Sequence, residues 1–226
     1  MKPRTPEDPT REDKEQRAVQ SIEVGGRLLL ALANSQTPLT LKELSSLSGL
    51  PASRAHPYLV SFGKLKLIEQ EADTGRYALG PAALQLGLTA LHQLDPFRAA
   101  LPVAQSLAAS TGHAVALGEP DARTTRSGRI NPTGLQEAVA ELREHGVARA
   151  VGKPIPGVNA FSAPAFDHEG RPVIVITALG LQDGFPSDWD SEIARSVRLA
   201  ASEISASLGW REASPGAAMD VSRFPA

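Results

Sequence analysis

Apolar positions recur along this chain with two periods, one helical and one extended. In SIEVGGRLLLALA, residues 21 to 33, Ile22, Leu28, Leu29 and Leu32 form a helical stripe. Gly25 and Gly26 inside it each cost about 1 kcal/mol relative to Ala, an expense that makes sense where another helix comes close. NSQTPLT is a loop. Leu41, Leu44 and Leu47 then mark a second helix, opened by the capping box Thr40-Leu-Lys-Glu43 and stopped at Gly49. Pro51 suits the first turn of a third helix. That helix is expected to turn Ala55, Leu59 and Phe62 inward, and Ser53, Arg54, His56 and Tyr58 outward. Leu65, Leu67 and Ile68 lead into a short strand, ADTGR is a turn, and Tyr77-Ala78-Leu79 returns as a second strand. Helix, helix-turn-helix and β-hairpin together predict a winged helix-turn-helix.

Gly80-Pro81 breaks the chain before AALQLGLTALHQL, a helix with Leu84, Leu88 and Leu91 on one stripe. A small winged domain could hardly bury that much leucine, so this helix is expected to be a dimer seam. Asp95-Pro96 caps the next helix, which runs to about Ser110 and ends at Gly112. The remainder reads as α+β. A strand is expected over 113–117, a polar loop over 118–132, and a helix from Thr133 to His145 with Gly146 as its stop. Strands over 159–166 and 172–179 form a hairpin around DHEGR. A long amphipathic helix is expected over 187–209, with Ile193, Val197, Ala200, Ile204 and Leu208 inward and Asp188 and Asp190 favouring the dipole of its first turn.

Composition narrows the function. The chain has 226 residues, 42% hydrophobic and 21% charged, with no Cys, so disulfides and thiolate metal sites are excluded and a reducing compartment fits. No apolar run reaches membrane-spanning length, and the charged, polar N-terminus is no signal peptide, so a cytoplasmic protein with no membrane partner is expected. The five His residues show no i,i+3 or i,i+4 metal spacing. No G-x-S-x-G, P-loop or Rossmann pattern occurs, so no catalytic residue, metal or cofactor is expected and the chain does not read as an enzyme. A net charge of −2 argues against coating nucleic acid indiscriminately, yet leaves room for a small reading face. Over residues 40 to 76, five Lys/Arg face four Asp/Glu.

The helix-turn-helix is therefore the element that carries chemistry. A second helix entering the major groove would let Arg54 reach guanine or phosphate, Ser53 and His56 bond base edges or phosphates, and Tyr58 touch a backbone oxygen. Thr40, Lys64 and the wing residue Arg76 complete the DNA-facing set. Pro57 interrupts the third helix; at roughly 3 kcal/mol for an interior proline, it is expected to bend or shorten that helix. The bland alternative is a packed helical hairpin with a solvated face.

In this order, the blocks TLKELSSLSGLPASRAHPYLVSF, RYALGPAALQLG, PVAQSLAASTGHAVAL and GVNAFSAPAFDHEGRPVIVITALG resemble the IclR family of bacterial transcription regulators from Ser21 to about Trp210. The resemblance implies an N-terminal winged helix-turn-helix (18–80), a dimerising linker helix (81–95) and a C-terminal GAF/PAS-like α+β effector domain (96–210). An arm of residues 1–17 and a tail of residues 211–226, both read as flexible, flank them. It implies double-stranded operator DNA, a second copy of the chain in a dimer or tetramer, and a small organic acid or aromatic effector as partners. It places Ser53, Arg54, His56 and Tyr58 on the recognition helix, where members usually carry a basic residue in place of Pro57. Ala160, Thr177 and Leu179 match effector-facing positions and point, by their apolar character, to an apolar or aromatic effector. After HAVAL the family continues with further strands. Here only about forty residues, 118 to 156, precede the next block, so the effector domain is expected to be abbreviated. A degenerate dimer that has lost DNA binding or ligand sensing is the alternative.

Overall fold

Residues 19–120 and 132–211 are described by a computed structural model. The arm, most of the 118–132 loop and the tail beyond 211 lie outside the described residues. The chain divides into two compact units, Met1–Gln93 and Leu94–Ala226.

In the first unit, α1 (Gln20–Ala33), α2 (Leu41–Ser48) and α3 (Ala52–Lys64) pack around Leu28, Leu32, Leu44, Ala55 and Leu59. The stripe of α1 is displaced from its expected position: Val24, Leu28, Ala31 and Leu32 are buried, while Ile22 is 71% exposed. Gly25 earns its place as foreseen. A Cβ there would lie 2.9 Å from both the Tyr58 and the Phe62 ring of α3, so these rings reach the α1 backbone only because the side chain is missing. Gly26 faces open space. Strands β1 (Ile68–Gln70) and β2 (Tyr77–Leu79) pair antiparallel, with Ile68 opposite Leu79, and Leu39 bridges to Tyr77 beside them. This is a winged helix-turn-helix, with α4 (Pro81–His92) following directly.

In the second unit, α5 (Pro96–Thr111) leads into β3 (Ala114–Gly118), and α6 (Pro132–His145) precedes β4 (Ala148–Val151), β5 (Val158–Phe166) and β6 (Pro172–Leu181). The final helix is α7 (Glu192–Ser207). The antiparallel sheet has the order β3-β6-β5-β4. One of its faces packs Phe161, Ala163, Ala165, Ile174, Ile176 and Ala178 against α5 and α7, which makes the α+β layering plain. Strand β4 was not foreseen, being four residues of mixed polarity in ARAV. Helix α7 starts five residues later than expected. The Ser191 side chain accepts from the Ala194 N–H and is the real cap, and the Ser191 N–H donates back to the Asp188 carbonyl in a turn. Asp188 and Asp190 thus precede the helix. Trp189 between them stacks on His145 at 4.0 Å and lies under the Arg149 guanidinium.

Candidate nucleic-acid interface

The helix-turn-helix is assembled from short-range choices that agree with one another. The Thr40 hydroxyl accepts from the Glu43 N–H at 3.2 Å, and Glu43 Oε2 accepts from the Thr40 N–H at 2.7 Å and from its hydroxyl at 2.8 Å. The capping box is complete. Gly49 ends α2 with φ 67°, in the left-handed region that a Cβ disfavours. The Ser45 hydroxyl donates to the Leu50 carbonyl and holds the turn from inside. Pro51 then serves as the N-cap of α3 rather than its first helical residue.

Helix α3 is not shortened by Pro57: it runs unbroken through 13 residues. The reason is where the proline points. Ala55 and Leu59 are buried on the core side, while Pro57 is exposed on the opposite side. Its missing N–H leaves the Ser53 carbonyl without its usual i+4 donor, but at the surface, where that deficit is mild. The Ser61 hydroxyl donates to the Pro57 carbonyl at 3.0 Å.

Among the expected DNA-facing residues, Ser53, Arg54 and His56 are all exposed within the first turn and a half of α3, and Lys64 is exposed in its last turn. At 1.5 Å per residue the outward face spans about 15 Å from Arg54 to Lys64, the reach of a recognition helix along a major groove. Tyr58 departs from expectation. It is half-buried, its ring packed on Gly25, because position 58 lies three residues after Ala55, on the flank of the core face, and the missing Cβ gives it room. Thr40 and Arg76 are present at the surface but already engaged. Arg76 Nη1 donates to the Pro38 carbonyl at 3.0 Å and to Glu43 Oε2 at 3.3 Å, which ties the wing to the start of α2. The N–H and O–H of Thr40, and then Arg76, hold the Glu43 carboxyl below the usual carboxylate range. This cross-link was missed in the sequence, because Glu43 and Arg76 lie 33 positions apart and no local pattern joins them. Val60, exposed beside His56, was also missed; its place one turn past the outward residues was the available signal. Together His56, Val60, Gly63 and Lys66 line a groove of about 530 Å³ between α3 and β1.

In the second unit, Ala160, Thr177 and Leu179 come together on the sheet face away from α5 and α7. Ala160 sits opposite Leu179, and both Leu179 and Thr177 are opposite alanines of β3. All three are half-buried. The Thr177 hydroxyl is 2.9 Å from that of Ser162, so the polar pair on this face satisfies itself and leaves an apolar surface around it. Among the described residues no group of three or more His, Asp or Glu is placed to hold a metal ion, and no helix is long and apolar enough to cross a membrane.

Residues 21–72 match the IclR helix-turn-helix domain. The glycerol operon regulatory protein of Streptomyces coelicolor is 35% identical over 102 residues, 45% of this chain and 40% of that protein. The transcriptional repressor IclR of Escherichia coli is 29% identical over 97 residues, 43% of this chain and 35% of that protein. The matched stretch thus spans about two fifths of these relatives. The crystal structure of Pseudomonas aeruginosa HmgR superposes with a TM-score of 0.77 at 25% identity, covering 86% of this chain and 100% of that one. The repressor BlcR of Agrobacterium tumefaciens gives 0.71 at 20% identity over 86% of this chain and 99% of that one, a likeness of fold.

Proposed function

Taking as premise a chain of the IclR type, by its helix-turn-helix and by the fold of both units, we propose that it is a transcription regulator that occupies operator DNA as a dimer or tetramer. The observation that carries this is the outward face of α3, where Ser53, Arg54 and His56 stand exposed and Lys64 follows in the last turn. Arg54 is the base- or phosphate-reading cation; Ser53 and His56 are hydrogen-bonding neighbours. Thr40 and Arg76 act at one remove: they fix the start of α2 against the wing and so set where α3 points. Helix α4 is the seam between copies, since none of its residues is buried and Leu84, Leu86, Leu88 and Leu91 are exposed, at 65%, 63%, 48% and 40%. In the second unit, the patch of Ala160, Thr177 and Leu179 takes an apolar or aromatic effector, which shifts the population of DNA-competent states.

Fluorescence anisotropy of the purified protein on DNA from its own upstream region tests this reading. Selective binding that survives unrelated competitor DNA and weakens linearly in log–log with salt is the expected result. Absence of selective binding at low salt, with and without aromatic and carboxylate effectors, would sink it.

A second reading has its own support: Pro57 occupies the centre of the outward face, and Arg76 is already committed to Glu43 and the Pro38 carbonyl. A chain with so few unspent cations facing DNA would self-associate without reading an operator. A large gain in affinity on Pro57→Arg, from no measurable binding, would favour this second reading.

A further inference from the structure

The outward side of α3 is not uniformly polar. With the helical repeat of about 3.6 residues, Ser53, Pro57, Val60 and Lys64 fall on the stripe opposite the core residues Ala55 and Leu59. All four are exposed, Val60 at 45%. The middle of this stripe is apolar: neither the Pro57 ring nor the Val60 side chain can donate or accept a hydrogen bond. Its ends are polar. Ser53 and Lys64 close the stripe, Arg54 and His56 flank its start, and the sequence of α3 contains no Asp or Glu. Such a face attracts phosphates at its ends and offers bases only apolar contact at its centre.

We propose that Pro57 and Val60 select thymine: the half-site facing α3 has adjacent A·T pairs at its centre, and their thymine methyl groups seat on these two side chains. This rests on the DNA-reading role of α3 proposed above. The C5-methyl of thymine is the one methyl group that the four bases present in the major groove. The donors and acceptors of the other base edges would give up water against Pro57 and Val60 without gaining a partner. The spacing agrees. Three residues separate the two side chains by about 4.5 Å along the helix axis, against about 3.4 Å between base pairs, so each faces one of two neighbouring pairs. Both side chains are stiff, so little rotamer freedom is lost when a methyl is seated. Gly63 keeps the wing-side flank low. A Cβ there would meet nothing within 4 Å, and Gly63 lines the groove between α3 and β1 beside Val60, which leaves a DNA strand room to approach.

Deoxyuridine pairs as thymidine does and lacks only the methyl. The test is anisotropy of the full chain on a duplex from its own upstream region, with thymines replaced by deoxyuridine one position at a time. Replacing one central thymine is expected to weaken binding about 4-fold, and replacing its counterpart in both half-sites about 15-fold. Replacements away from the half-site centres are expected to be neutral. In Val60→Ala and Pro57→Ala, the penalty at the matching thymine should shrink to below about 2-fold, with the unfolding transition retained. Selective binding that tolerates deoxyuridine at every position would overturn the methyl contact and leave operator reading standing. A penalty that persists undiminished in both variants would overturn the assignment to Pro57 and Val60. Absence of selective binding on the unmodified duplex would overturn operator reading and this selection with it. Tolerance of deoxyuridine together with a smaller mass of Val60→Asp by sedimentation would overturn the proposal by giving the face to a second copy.

Discussion

Three single residues decide how the reading helix is held. Gly25 is the first. Ala at this position gains about 1 kcal/mol of helix propensity but drives a Cβ to 2.9 Å from the Tyr58 and Phe62 rings, and overpacking of that kind costs about 1–3 kcal/mol. Gly25→Ala is therefore expected to destabilise the first unit in dilute denaturant titrations, whereas Gly26→Ala, facing open space, is expected to stabilise it. Arg54 is the second: Arg54→Ala should cost about 1–3 kcal/mol of operator affinity by anisotropy while leaving the unfolding transition in place. The third is Glu43. Its carboxyl titrates below the usual range because the folded state favours the charged form, so its stabilisation is fully present above the ordinary carboxylate range and disappears as pH falls through the lowered value. The stability gap between the native chain and Glu43→Gln should accordingly close as pH falls through and below the ordinary glutamate range, as read by denaturant midpoints. Residues of this kind were unevenly legible. The Thr40–Glu43 box and the need for a small residue near Gly25 can be read locally. The commitment of Arg76 and the inward turn of Tyr58 depend on tertiary neighbours that no sequence window contains.

At the scale of elements, α2, α3, the wing and α4 were legible because each has local punctuation: a capping box, a left-handed glycine, a turn sequence or a Gly-Pro break. Strand β4 and the start of α7 were not. ARAV lacks a clean alternation, and the acidic residues before α7 imitate a first turn while a serine supplies the cap. The expected shortening of α3 by Pro57 did not occur for a related reason. An interior proline costs the bond to the i−4 carbonyl and crowds that oxygen, and here the carbonyl is that of Ser53, in the first turn and on the exposed side. Pro57→Arg restores an N–H donor for the Ser53 carbonyl and adds a cation at the centre of the outward face. It is expected to raise thermal stability modestly and operator affinity by about tenfold or more, checked by anisotropy at two salt concentrations.

For the whole molecule, charge and association are linked. A chain of net charge −2 gains little from bulk attraction, so a pair of correctly spaced α3 helices has to supply the affinity. If each copy neutralises two or three phosphates, the salt slope of a dimer is about −4 to −5 in log–log terms. Leu84→Glu/Leu88→Glu should halve that slope as well as lower affinity, with sedimentation reporting the loss of the dimer. The two-part α+β architecture was legible in the sequence because the hydrophobic period changes along the chain. That Ala160, Thr177 and Leu179 share the sheet face away from α5 and α7 could not be read from alternation, which does not say which side of a sheet the helices cover.

The junction between the wing and α4 has a mechanical meaning. The Gly80 N–H donates to the Leu67 carbonyl and the Ala82 N–H to that of Lys66, which is itself held at φ 56°. A Cβ on Gly80 would stand 2.5 Å from the Lys66 oxygen, so the fit tolerates no side chain. Helix α4 is consequently welded to the wing rather than hinged on it. At 12 residues it is a rigid arm of about 18 Å, and a tilt imposed at its far end is delivered as torque to the wing and to the strap that Arg76 makes with α2. Whatever grips α4 thereby steers the aim of α3.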